Sequence, residues 1–290
     1  KGGAPPGSSN GRAGDIINRM TKLRFLGRAA WQILLALALF LGLYGIAAPS
    51  GLNNFLLFHS LAEVFSVAVA VAIFMVYWNS RAFHQQSFFL VVGVASLFVG
   101  GIDLLHALAY KNMGVFPGAD ENLPTQLWIA ARWLQGVSLL AAAGLFHRRL
   151  RPWAVVAVYA AVTGALLASI FVWPAFPVCF RPGTGQTAFK IASEYLISAI
   201  VAAAAAILAR RRRAFDPEVF RLLIASLGLT AASELAFTSY VNVFGAANLI
   251  GHFLKIAAVY LMYRALIEVG LRKPYRLVFR ELTLREAALR

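Results

Sequence analysis

The sequence predicts an all-α polytopic membrane protein: a bundle of eight transmembrane helices with both termini in the cytoplasm. Three observations lead there. Of the 290 residues, 60% are hydrophobic and 13% are charged, and the charged share is about half that of an ordinary soluble domain. Apolar runs of about 20 residues follow one another, each long enough to cross a bilayer core. Lys and Arg concentrate in alternate connections between those runs, as the positive-inside rule requires. The short alternating segments of a β-barrel do not occur.

The spans fall at roughly 30–48, 56–77, 87–109, 125–146, 153–173, 187–209, 219–241 and 248–270. Turn-like or charged stretches separate them: "APSGLNN", "WNSRAFHQQ", "KNMGVFPGADENLP", "HRRLRP", "WPAFPVCFRPGTGQ", "RRRRAFDPE" and "VNVFGAAN". The segment before the first span carries Arg12, Arg19, Lys22, Arg24 and Arg28. The second, fourth and sixth connections carry Arg81, then Arg148, Arg149 and Arg151, then Arg210 to Arg213. The odd connections hold only Lys111 and Arg181, with Asp120 and Glu121 alongside. An even number of spans with cytoplasmic ends satisfies both counts independently.

Residues 1–29 read as a flexible cytoplasmic segment. They open on "KGGAPPGSSNGRAG", which is Gly/Pro/Ser-rich and has no cleavable signal pattern. Residues 30–271 are the transmembrane domain. After Pro274 the chain reads "YRLVFRELTLREAALR", a helical repeat with mixed faces. Residues 272–290 are therefore expected to form a cytoplasmic connector helix leading to an output module, the alternative being a plain surface helix lying on the head groups. A net charge of +15 can signal nucleic acid. Here the basic residues flank the spans, so anionic lipid head groups are the expected contacts and nucleic acid is not.

Topology gives every ionisable residue within a span a depth, at 1.5 Å of rise per residue. His59 and Glu63 begin an inward-running span, and Asp103 and His106 end an outward-running one. Arg132 lies two turns inside the fourth. Lys190 and Glu194 begin the sixth, Glu234 nears the outer end of the seventh, and His252 and Lys255 begin the eighth. Six helices thus place these groups in the outer third of the membrane. The inner two thirds are almost wholly apolar, apart from Arg264 and Glu268 near the cytoplasmic exit. Each charge in a bilayer costs at least about 2.5–3.5 kcal/mol, so a shared polar chamber opening outward is expected.

Spacing agrees, since i, i+3 and i, i+4 pairs share a helix face. His with carboxylates on facing helices is how bundles hold transition metals. His59, Glu63, Asp103, His106 and His252 are the candidate metal ligands. Nitrogen and oxygen donors suit Zn, Cu, Fe, Ni or Mn without choosing among them. Arg132, Lys190, Glu194, Glu234 and Lys255 are the candidate ligand-binding residues. An internal salt-bridge network and an organic ligand or proton response are the alternatives, the last through His near its ordinary pKa.

Other residues carry blander expectations. Cys179 is the single cysteine, so it is read as a buried or unpaired thiol in an outer loop. His84 and His147 fall in cytoplasmic loops. Trp128, Trp133, Trp153 and Trp173 sit near span ends, where aromatic belts occur. Gly93, Gly100 and Gly101 are expected to allow close helix approach.

The ordered motifs "FHSLAEVFSVAVAVAIFMVYWNSR", "GGIDLLHALAYKNMGVF", "TQLWIAARWL", "FKIASEYLI", "SELAFTSYVNVFG" and "NLIGHFLKIAAVYLMYRALIEVGLRKPY" resemble the membrane-associated sensor domain of the third type. The resemblance spans about residues 30–282. It implies an N-terminal sensory input domain of a bacterial histidine kinase or diguanylate cyclase, often followed by a PAS module. The implied setting is the bacterial inner membrane, in a homodimer. The family's motif residues fall on His59, Glu63, Asp103, His106, Arg132, Lys190, Glu194, Glu234, His252 and Lys255. No kinase, cyclase or PAS sequence is present, so no catalytic residue is assigned. An intramembrane metal-dependent hydrolase and a small-solute transporter are the competing functions.

Overall fold

Seven α-helices make up most of a computed structural model that describes residues 52–81, 87–239 and 246–269. They are α1 (Leu52–Ser80), α2 (Ser87–Leu108), α3 (Asn122–Gly144), α4 (Pro152–Phe171), α5 (Ala188–Arg210), α6 (Pro217–Phe237) and α7 (Ala246–Tyr263). α7 runs on into a π-helical stretch, Arg264–Val269. With that stretch counted, the seven match the second to eighth predicted spans to within four residues at each end. The predicted span 30–48, the N-terminal segment 1–29, the connector 272–290 and His84 lie outside the described residues. The chain divides into two units between Phe58 and His59. Everything below concerns the second.

Local sequence explains several helix starts. Pro152 stands in the first turn of α4, where a missing N–H costs nothing. The Thr187 hydroxyl accepts a hydrogen bond from the Lys190 N–H at 3.3 Å and caps α5. Asp216 caps α6 by accepting from the Glu218 N–H at 2.9 Å, with Pro217 next.

Six of the seven helices are long and apolar enough to cross a membrane; α3 falls short. The reason is visible in its sequence, which carries Gln126, Arg132 and Gln135. Residues 124–132 of α3 are buried without a break, because neighbours enclose it, with α2 and α5 against it. α6 lies against both α5 and α7. In contrast, Tyr159 is the one buried residue of α4. Such an apolar, exposed helix suits a lipid-facing position.

Close approach of α1 and α2 needs glycine at two points. A Cβ at Gly93 would stand 3.0 Å from the Tyr77 Cβ, and one at Gly100 3.0 Å from the Ala70 Cβ. Gly101 meets nothing within 4 Å, so the expectation of close contact holds for two of the three. The Tyr77 hydroxyl donates to the Leu266 carbonyl at 2.9 Å and ties α1 to the π-helical end of α7.

The connection between α4 and α5 folds back over the start of α3. A two-residue hairpin, β1 (Phe180–Arg181) and β2 (Gly185–Gln186), forms its tip. The Asn122 side-chain Oδ1 accepts from the N–H groups of Cys179 and Phe180 at 2.8 and 3.1 Å. The Gln126 amide donates to the carbonyls of Phe176 and Pro177 at 3.0 and 3.1 Å. Cys179 is free and fully buried in this loop. Burial pushes its thiol up to about 12, and the thiolate is the reactive form. Maleimide at pH 8 should therefore leave Cys179 unmodified in folded protein and label it quickly in SDS. Equal labelling under both conditions would contradict this loop structure.

Candidate functional site

Helix connectivity brings the starts of α3, α5 and α7, and the part of α1 from His59, to the same end of the bundle as the ends of α2 and α6. The loops 109–121 and 172–187 lie at that end. All ten residues singled out by depth in the sequence are buried, each 5% exposed or less.

Seven of them form one cluster. Arg132 Nη2 donates to both oxygens of Asp103, at 2.6 and 2.5 Å. Lys255 Nζ donates to both oxygens of Glu63, at 2.7 and 2.6 Å, and stands 3.7 Å from Asp103 Oδ2. His252 Nε2 is 3.5 Å from Glu63 Oε1. His59 Nε2 faces His106 Nε2 at 3.2 Å. The His59 ring also stacks on Tyr110 with centroids 3.8 Å apart, and its centroid lies 4.8 Å from that of His252.

Hydrogen bonding fixes two of the imidazole tautomers. His106 Nδ1 lies 2.7 Å from the Pro124 carbonyl, and His252 Nδ1 lies 2.8 Å from the Asn248 carbonyl. A carbonyl only accepts, so each Nδ1 carries the proton and each Nε2 of a neutral ring presents a lone pair.

Lys190, Glu194 and Glu234 form an adjoining group. Lys190 Nζ is 2.7 Å from Glu194 Oε1, and donates to the Phe237 carbonyl at 2.6 Å and to Gln186 Oε1 at 3.0 Å. Glu234 interacts electrostatically with Arg132, Glu194, Lys190 and Lys255. The two groups together hold four carboxylates against three cations, with three imidazoles between them. Arg132, Lys255 and Lys190 match Asp103, Glu63 and Glu194 one to one, and pairing of this kind is what makes buried charge tolerable.

Trp128 joins the groups, which corrects its reading as an interfacial belt residue. It is 5% exposed. The Arg132 guanidinium carbon and Lys255 Nζ each stand 4.6 Å from its ring centroid. A cation over an indole face gains about 2 kcal/mol or more when desolvated. The clue in the sequence is spacing: Trp128 precedes Arg132 by four residues and so shares its face. Trp153 and Trp173 are 70% and 68% exposed, as belt residues would be. His147 is exposed too.

Tyr110, Asn248, Gln135 and Gln186 also belong to the site, and charge counting did not find them. The Asn248 amide donates to the Tyr110 hydroxyl at 3.3 Å. Arg132 Nη1 donates to Gln135 Oε1 at 2.5 Å. A cavity of about 30 Å³ lies beside the imidazoles, lined by His106, Tyr110, Trp128 and His252 and, farther out, by Lys111 and Glu121. Lys111 and Glu121 form an ion pair there, and this pairing lowers the Glu121 pKa.

A bundle of apolar helices with ionisable side chains buried at one end describes a membrane protein built around an internal polar site. The family model of the membrane-associated sensor domain MASE3 matches residues 50–274, and the chain belongs to this family. The family is one of sensor domains. No curated protein and no solved structure matches the chain.

Proposed function

We propose that the chain is a transmembrane sensory input domain whose stimulus is a transition-metal ion bound by His59, His106, His252 and Glu63. The observation that carries this is the convergence of the donor atoms of His59, Glu63 and His252, with His106 set against His59. Ligand atoms of His59, Glu63 and His252 lie within 4.8 Å of one another. The edge between His59 and His106 is 3.2 Å and that between His252 and Glu63 is 3.5 Å. A tetrahedral site with metal–nitrogen bonds of about 2.0–2.1 Å has edges of about 3.3–3.4 Å. His106 and His252 donate Nδ1–H to backbone carbonyls, the support that orients metal-binding imidazoles.

Asp103, the fifth candidate ligand, is committed to Arg132 on both oxygens. Its part in this reading is to receive Lys255. In the structure Lys255 neutralises Glu63. With Glu63 engaged as a ligand Lys255 would need another partner, and Asp103 Oδ2 is 3.7 Å from its Nζ. Metal-bound and metal-free states thus differ in the position of Lys255 on α7. That difference supplies the unequal affinity without which a ligand shifts no equilibrium. Arg132, Lys190, Glu194 and Glu234 complete the surrounding charge frame. α7 then relays the state to a cytoplasmic kinase or cyclase module, in a homodimer in the bacterial inner membrane. Metal reaches the site from the outer face past Lys111 and Glu121.

Metal analysis of protein purified after exposure to Zn, Cu, Ni, Fe and Mn tests this. One ion per chain is expected, and its loss in His59→Ala, His106→Ala and His252→Ala. Folded protein that retains none of these metals would favour the salt-bridge network instead.

A further inference from the structure

A second cavity, of about 80 Å³, lies on the far side of the ion pairs from the imidazoles. Its walls are apolar and come from α1, α2, α3, α6 and α7, with Val69, Ala95, Val99 and Val259 among them. At one end stand Asp103, Arg132 and Lys255. Gln135 lines it beside Arg132, with its Oε1 accepting from Arg132 Nη1, and the hydroxyls of Ser66, Ser96, Ser138, Ser226 and Thr230 line it as well. Each of these hydroxyls donates to a backbone carbonyl, at distances of 2.5–2.9 Å. Their donor demand is therefore already met. The guanidinium differs: Arg132 is 4% exposed, and its Nε has no hydrogen-bond partner among the described residues.

We propose that this cavity binds a small, uncharged, lipid-soluble molecule that presents one acceptor oxygen, of the ketone, ester or quinone carbonyl class, to Arg132. Size, polarity and donor supply each narrow the choice. At about 10–15 Å³ per water position, the space equals about five to eight waters, or one six-membered ring. The apolar walls favour hydrocarbon over water. Asp103 and Glu63 already take up the charges of Arg132 and Lys255, so an anion has no spare cation to meet. A lone carbonyl oxygen matches what remains, a buried N–H of a cationic group with the neutral Gln135 amide beside it. Such a hydrogen bond is among the stronger neutral-ligand contacts available.

Occupancy would act on the residues that the metal acts on. The cavity ends on Asp103 and Lys255, and Lys255 lies between Glu63 and Asp103. A ligand at Arg132 therefore biases the same two arrangements, and the proposal rests on the sensory reading to that extent. Binding itself does not require the metal.

The test uses protein in nanodiscs, with empty nanodiscs as blank, and equilibrium dialysis of radiolabelled cyclohexanone against radiolabelled cyclohexane. Metal content is measured on the same samples. Cyclohexanone should bind saturably, one per chain, about tenfold to a hundredfold tighter than cyclohexane, the range for one hydrogen bond to a charged group. Arg132→Lys keeps a cation for Asp103 but has no Nε–H, and should remove that preference. Ala95→Leu and Val259→Phe fill the space from different helices and should abolish binding with metal content unchanged. Equal binding of the two probes would overturn the acceptor class. Absence of saturable binding, or binding indifferent to both filling variants, would overturn the site. Loss of metal in the wild-type samples alone would instead sink the metal reading and leave the cavity result standing.

Discussion

Asp103→Asn is expected to destabilise the folded protein by about 3–5 kcal/mol, the usual cost of removing one partner of a buried ion pair. The geometry explains the size. Arg132 Nη2 meets both Asp103 oxygens at 2.6 and 2.5 Å, and the two side chains are only 4% and 6% exposed. Asparagine fits the space and keeps one acceptor but removes the charge. The guanidinium would then lie in a low-dielectric interior with Lys255 close by and one carboxylate fewer. Denaturation in mixed micelles measures the loss. Arg132→Met should be similarly costly, whereas the Asp103→Asn, Arg132→Met double variant should recover much of the stability, because removing both partners is often nearly neutral. A cost below about 1 kcal/mol for Asp103→Asn would be the value of a solvated surface pair, and would mean that water fills this end of the bundle.

Lys255→Met should behave differently with and without metal. In the metal-free protein it leaves the Glu63 carboxylate buried without the ammonium that now contacts both its oxygens. A loss of about 3–5 kcal/mol is expected again. Zinc should reverse much of it, since a ligand at 100 times its Kd stabilises the native state by about 2.7 kcal/mol. The variant should also bind zinc more tightly than the wild type, because no ammonium competes for Glu63. Titration of the unfolding midpoint with zinc in both proteins reads this directly. Equal responses would show that Glu63 is not a ligand and that Lys255 is its permanent counter-ion.

The sequence carried much of the site because charge inside a hydrocarbon layer is rare and costly. Ten residues on six helices stood out on that ground alone, and all ten are buried together at one end of the bundle. Their division of labour was not legible. Asp103 and Glu63 are both carboxylates near a histidine, yet Arg132 takes one and Lys255 the other. Only three-dimensional distance decides which. Trp128 was misplaced because indole at a span end usually means an interface; the spacing to Arg132 hinted at one cation, but nothing local announces the second, Lys255. The hydroxyls around the 80 Å³ cavity were invisible for another reason. Ser and Thr commonly bond their own helix carbonyls, so they blend into any apolar span. Helix positions were recovered well, since length and hydropathy fix them. α3 shows the limit of that signal: it is helical where expected but more polar than its neighbours, because protein rather than lipid surrounds it.

The placement of Trp128 gives the molecule an optical probe of its own. Indole emission responds to nearby charge, and here one guanidinium and one ammonium each stand 4.6 Å from the ring centroid. Any rearrangement that moves Lys255 from Glu63 toward Asp103 changes the field across that ring. Among the six tryptophans of the chain, the fluorescence removed by Trp128→Phe should therefore be the fraction that changes colour when the domain changes state.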